Sequence, residues 1–269
     1  MSLPEIKLDE GIHVMHLFYR INREKWQDGD SAKVASSLKE IAVVNPGPGH
    51  PRVDTYAGVG PRFDIGFVVY AETLVQAMDR HREIEAAFPA GSMDCVYQYV
   101  SVTELSEYAS TEDDYKRLIQ HQEKLEPGTE EFEKRLTAMN EKRKEYEHYR
   151  LYPELPKWEV MGFYPMAKRR EGEDNWYSLD FDARKKLMAG HARVGRGYHG
   201  RVSQLITSST GLDDWEWGVT LMAHQLDALR DIVYEMRFDE VSAKYGEFGP
   251  FYIGVTATPE DALLHLKLS

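Results

Sequence analysis

The feature that most constrains this chain is an order of hydrophobic periods that occurs twice. Residues 11–20 alternate at period two, with Ile12, Val14, His16 and Phe18 on one face, which predicts a strand. A helix follows over 31–42, then strands over 53–59 and 63–70 around Gly60-Pro61. A second helix is capped by Thr73 and carries Leu74, Met78 and His81 near one face, and a strand closes the half over 95–103. The second half repeats that order: strand 158–166, helix 180–193, strands 201–208 and 216–223, helix 226–237 and strand 248–256. Two β-α-β-β-α-β units predict an α+β chain of two ferredoxin-like halves, 1–110 and 156–269. Each open sheet leaves an apolar face, so the halves are expected to pack sheet on sheet as a dimeric α+β barrel.

Between the halves lies a connector, residues 111–155, whose stretch 111–150 is dense in charge and broken at Pro127-Gly128. Beyond the break Thr129 is a candidate N-cap, and Glu130/Lys134 and Glu131/Arg135 are spaced as i,i+4 pairs, so a solvent-exposed helical connector is expected.

Charge and cysteine content exclude whole classes of function. The net charge of −12 opposes binding to a nucleic acid, whose affinity rests on phosphate neutralisation. Yet residues 150–201 hold eleven Lys and Arg against seven Asp and Glu, a local +4 that leaves −16 elsewhere and that could steer a small polyanion. Cys95 is the only cysteine, which rules out an intrachain disulfide, a cysteine-rich zinc site and covalent haem attachment within this sequence. The charged start, MSLPEIKLDE, and the shortness of every apolar run predict a cytoplasmic chain with no membrane span.

The residues suited to chemistry cluster in the second half. Tyr164 is an oxidisable phenol expected at an irregular strand end, because Pro165 cannot supply a ladder hydrogen bond. Lys168 lies beyond that break, where it can meet an anion. His191 shares a helix face with Leu187 and Met188 and suits either an axial metal ligand or a packed, capping histidine. Gln204 interrupts an apolar strand and is either buried with partners or on the exposed face. Serine-hydrolase, P-loop and zinc-protease motifs are absent, and Gly58-Val59-Gly60 does not open a dinucleotide-binding unit.

Four segments, 163–170 (FYPMAKRR), 175–177 (NWY), 211–218 (GLDDWEWG) and 234–249 (YEMRFDEVSAKYGEFG), resemble the coproheme decarboxylases of the chlorite dismutase superfamily. The likeness is strongest over 150–256, and 99–108 (YVSVTELSEY) supports it in the first half. The resemblance implies a homopentameric enzyme of haem biosynthesis. It would convert two propionates of iron coproporphyrin III to vinyl groups with hydrogen peroxide, through a tyrosyl radical, and give haem b. It further implies His191 as the iron ligand, Tyr164 as the radical-forming and Lys168 as a second catalytic residue. Gln204 would be the distal amide of the monoderm-type branch, and Arg150, Met166, Lys168, Trp176, Trp217, Arg237 and Ser242 would line the porphyrin. A transient contact with the iron-inserting enzyme that acts before it is implied as well. Gln204 stands where a functional chlorite dismutase carries an arginine and where the actinobacterial decarboxylases carry a histidine. The alternative kept open is a non-catalytic haem carrier or sensor of the same fold.

Overall fold

A computed structural model describes residues 3–27, 29–42 and 51–268. The first half contains β1 (His13–Ile21), α1 (Asp30–Ile41), β2 (Arg52–Gly58), β3 (Ile65–Ala71), α2 (Leu74–Ala87) and β4 (Met93–Thr103). The connector forms α3 (Glu112–His121) and α4 (Glu130–Leu151). The second half contains β5 (Val160–Lys168), α5 (Phe181–Gly197), β6 (Val202–Ser208), β7 (Trp217–Ala223), α6 (Leu226–Met236), β8 (Gly246–Phe248), β9 (Tyr252–Thr256) and α7 (Pro259–His265).

All strand pairings are antiparallel, and β5 pairs with β7, so the order β7-β6-β4-β1-β3-β2-β9-β5 closes into a ring with β8 added on β5. The expected barrel is therefore built from both halves. Its two seams are short. β4 meets β6 only at Val102↔Ser208 and Thr103↔Thr207, and β2 meets β9 only over Tyr56–Gly58.

Strand alternation sorts the core into layers. Inside the ring lie Val14, Phe18, Tyr70, Tyr99, Phe163, Leu205 and Tyr252, with His16 fully buried and stacked on Phe163 at 4.2 Å. Gly218 makes that closure possible, because a Cβ there would sit 2.5 Å from the Tyr99 ring. Outside, α1, α2 and α7 cover the first half with Val34, Leu38, Ala77, Ile84 and Leu263, while α6 covers the second with Ala228, Leu229 and Ile232. The inward face of α2 is thus Ala77 and Ile84. Of the face expected there, His81 bonds Glu85 at 3.1 Å instead. The Thr73 cap is present as a capping box with Gln76, and Thr129 caps α4 through Phe132 N–H.

Two expectations for the second half are corrected. Tyr164 does not end its strand: β5 runs through Pro165 to Lys168, with an unbroken register against β7. The physical reason is a change of partner on the other side, where β9 stops at Phe163 and β8 starts at Met166. The carbonyl of Pro165 accepts from Gly249 N–H at 2.8 Å, so its missing donor points into the gap between those two strands, where no ladder bond is lost. The strand expected over 248–256 is accordingly two strands, β8 and β9. A π-helical turn, Val241–Tyr245, precedes them, and α7 adds a helix beyond the expected order.

Candidate functional site

The outer face of the second half-sheet brings five of the expected residues together. Tyr164, Met166 and Lys168 alternate along β5, Trp217 stands on β7, and Gln204 stands on β6, two residues before Ile206, which Val219 joins to Tyr164 in one cross-strand row. Two strand spacings put Gln204 about 10 Å across the sheet from β5. The Gln204 amide lies near α5, where a Cβ on Gly195 would meet Nε2 in ordinary contact at 3.5 Å.

Tyr164 is buried and packed against Phe251 at 4.6 Å and Phe248 at 5.9 Å. It lines a cavity of about 360 Å³ together with Leu229, Val233, Tyr234, Arg237 and Phe251. The Arg237 guanidinium lies 3.8 Å over the Phe248 ring. Burial pushes the Tyr164 phenol up to about 12, against the pull of Arg237, so it carries its proton at neutral pH.

His191 sits on α5 and lines a second cavity of about 360 Å³ with Ala183, Leu187, Gly190 and Asp239. Its Nδ1–H donates to Asp239 Oδ2 at 3.0 Å, which leaves Nε2 as the basic nitrogen. Asp239 Oδ2 also accepts from Ser242 Oγ at 2.9 Å, and Oδ1 accepts from Val241 and Ser242 N–H at 3.0 and 3.1 Å. Burial alone would raise the Asp239 carboxyl, but hydrogen bonds from His191 and Ser242 outweigh it and hold it below its ordinary value. Ser242, expected against a porphyrin carboxylate, spends its hydroxyl hydrogen on Asp239 here.

Lys168 is buried, with Nζ 4.6 Å over the Trp176 ring. Burial lowers its ammonium to about 8, opposed by Asp239 and Glu216. At the Trp217 end of that outer face Arg150 and Trp217 both contact Glu104: the Trp217 indole N–H donates to Glu104 Oε1 at 3.0 Å, and Arg150 Nη2 donates to the Glu104 and Ile206 carbonyls at 3.4 Å. Neither lines the cavity of Tyr164 or that of His191.

A porphyrin fits this donor set. Among the described residues no three His, Cys, Asp or Glu side chains group as metal ligands, so a metal held by His191 must bring its remaining ligands with it, as an iron macrocycle does. Lys168 and Arg237 would be the cations available to its carboxylates.

The chlorite dismutase family model matches residues 33–257. This chain belongs to the chlorite dismutase family. It is 37% identical over 264 residues to a candidate heme-binding protein of Halobacterium salinarum, covering 94% of this chain and 49% of that one. The chain spans about half the length of the curated relatives it matches, 49% and 47% for two of them. A heme-binding protein of Thermus thermophilus superposes with a TM-score of 0.76 at 33% identity, over 99% of this chain and 98% of that structure. A chlorite dismutase variant of Candidatus Nitrospira defluvii shares the fold, with a TM-score of 0.69 at 17% identity and 96% coverage of both chains.

Sequence reasoning missed Asp239 and Glu216. Asp239 had a local signal, because an aspartate three residues before a serine, ahead of a helical turn, is spaced to accept the turn's first amide hydrogens. Glu216, between two tryptophans, had none: its burial is set by contacts with Lys168 and Tyr177, which lie 48 and 39 residues away.

Proposed function

We propose that this family member binds an iron porphyrin through His191 and decarboxylates two propionates of iron coproporphyrin III with hydrogen peroxide. The observation that carries this reading is Tyr164, a protonated phenol in the wall of an apolar cavity with Arg237 beside it. A bound iron porphyrin supplies peroxide activation and accepts electrons from the decarboxylation. The chain's own residues do the rest. Asp239 fixes the imidazole tautomer so that Nε2 faces the metal. Lys168 and Arg237 hold carboxylates against the sheet. Tyr164 gives up a hydrogen atom, and its phenoxyl takes one from the β-carbon of a propionate. Each turn consumes one peroxide and converts one propionic acid group to a vinyl group, one carbon dioxide and two waters. Gln204 places a neutral amide on the same face, without the charge of an arginine or the basicity of a histidine.

The test is to mix the protein with iron coproporphyrin III and hydrogen peroxide and follow the porphyrin mass. Two successive losses of carbon dioxide are expected; an unchanged mass rejects the activity. A second reading, a carrier that binds haem without turning it over, is favoured by the heme-binding description of the Halobacterium and Thermus relatives. It predicts a Soret shift on mixing with no change in mass.

A further inference from the structure

Glu216 is a carboxylate buried to 5% exposure, and the proposed reaction gives it no role. Oε2 accepts the Lys168 backbone N–H at 2.7 Å, and Oε1 accepts the Tyr177 hydroxyl at 2.7 Å, with Arg170 Nη1 3.9 Å away. Its backbone is tied as tightly, with N–H donating to the Met166 carbonyl at 3.0 Å and C=O accepting from Ser209 N–H at 2.7 Å. One residue therefore fastens two things: the end of β5, which carries Lys168, and the 3-10 turn Trp176–Ser178, which covers it. Trp176 completes the cover. Its ring receives the Lys168 ammonium and meets Tyr245 edge-on at 5.4 Å, and its backbone N–H donates to the Arg169 carbonyl at 2.9 Å.

A lysine ammonium on four methylenes has several rotamers and no fixed address unless its surroundings supply one. A buried carboxylate that shows both oxygens to hydrogen donors is costly unless its geometry is maintained, which gives this network a single arrangement. Placed in this way, Lys168 has Trp176 on one side and the carboxylates of Glu216 and Asp239 within electrostatic range. We infer that Glu216 is a positioning residue that holds Lys168 and its Trp176 cover as one anion-binding unit, and that this unit selects porphyrins with more carboxylates. The selectivity rests on the reading that Lys168 faces a porphyrin carboxylate; the positioning does not.

The first measurement therefore needs no porphyrin. Competitive acetylation with acetic anhydride, read by peptide mass, compares Lys168 with the exposed Lys39 and Lys116. Lys168 is expected to react slowly in the unaltered chain. It should react about tenfold faster in Glu216→Gln and in Tyr177→Phe, the change that a loss of about 1.4 kcal/mol of local order gives. Tyr177→Phe keeps the carboxylate and removes one tie, so it serves if Glu216→Gln fails to fold. Lys168 as protected in the folded variants as in the unaltered chain overturns the positioning.

The second measurement is the dissociation constant, by Soret titration, for iron coproporphyrin III and for haem b. Glu216→Gln should weaken the four-carboxylate porphyrin about tenfold more than the two-carboxylate one, as loss of one charge-assisted contact predicts. Equal weakening of both marks general loosening and overturns the selectivity. If decarboxylation fails while acetylation responds as expected, the proposed activity falls and the positioning stands.

Discussion

The two halves of the barrel share one topology but are packed differently on their outer faces. Over the first half-sheet α1 buries Val34, Ala35 and Leu38, and α7 adds Ala262 and Leu263, with its C-cap Leu266, to the same core. Over the second, α5 has seventeen residues and buries none of them. One cavity opens along α5 at His191, and a second, walled by Tyr164 and Arg237, lies between the sheet and α6. One half thus uses its helices to remove water from hydrocarbon, while in the other α6 does the same and α5 buries no side chain of its own.

The sharpest break in that comparison is Tyr164→Phe. It should leave the packing and porphyrin binding in place and lower decarboxylation on the order of a thousandfold or more, the scale of losing a group essential to the chemical step; single-turnover assays measure this. Next comes a matched pair in the helices. Leu38→Ala should destabilise the chain by about 2–5 kcal/mol in urea unfolding, as a filled core site does, and Leu187→Ala in α5 by about 1 kcal/mol, because its site is already partly open.

A pH scan probes the same contrast through Lys168. Its folded value of about 8 lies below the ordinary 10.5, so between those values the unfolded chain binds more protons. Stability of the ligand-free protein should therefore rise with pH across that window, by up to about 3 kcal/mol, with the full cost of the buried ammonium present below pH 8. Urea unfolding of Lys168→Met should lack this rise, and a bound polyanionic porphyrin should abolish it. Asp239→Asn should weaken ferric porphyrin affinity about ten- to a hundredfold by Soret titration, because the iron ligand stays while its tautomer and orientation loosen.

The strands and helices on the ring were legible because each has a partner face in its own sequence. The alternation of Val14, His16 and Phe18 points into the barrel, and Thr73 and Thr129 cap the helices that follow them. Pro165 misled, because a proline reads as a strand end unless the adjoining strand is known to change at the same point. Tyr164, Lys168 and Gln204 were singled out by residue type, spacing and family likeness, but the face they share was not legible, because Lys168 was expected beyond the strand and either face was open to Gln204. The support around them was not: Asp239 behind His191 and Glu216 behind Lys168 act across 48 residues each, and only the folded chain shows those contacts.

The short seam leaves the facing edges of β4 and β6 paired at only two positions, although β4 pairs with β1, and β6 with β7, on their other sides, and the end of α4 lies against it. Arg150 donates to the Ile206 carbonyl, the Tyr149 hydroxyl meets Ser203 Oγ at 3.1 Å, and Thr103 Oγ1 donates to the Leu151 carbonyl at 2.8 Å. Exposed strand edges recruit strands from other molecules. The connector is thus a guard against aggregation as well as a link. A chain that lost the last turn of α4 would offer these edges to its neighbours, and its first failure would be insolubility while the porphyrin-facing side chains were still in place.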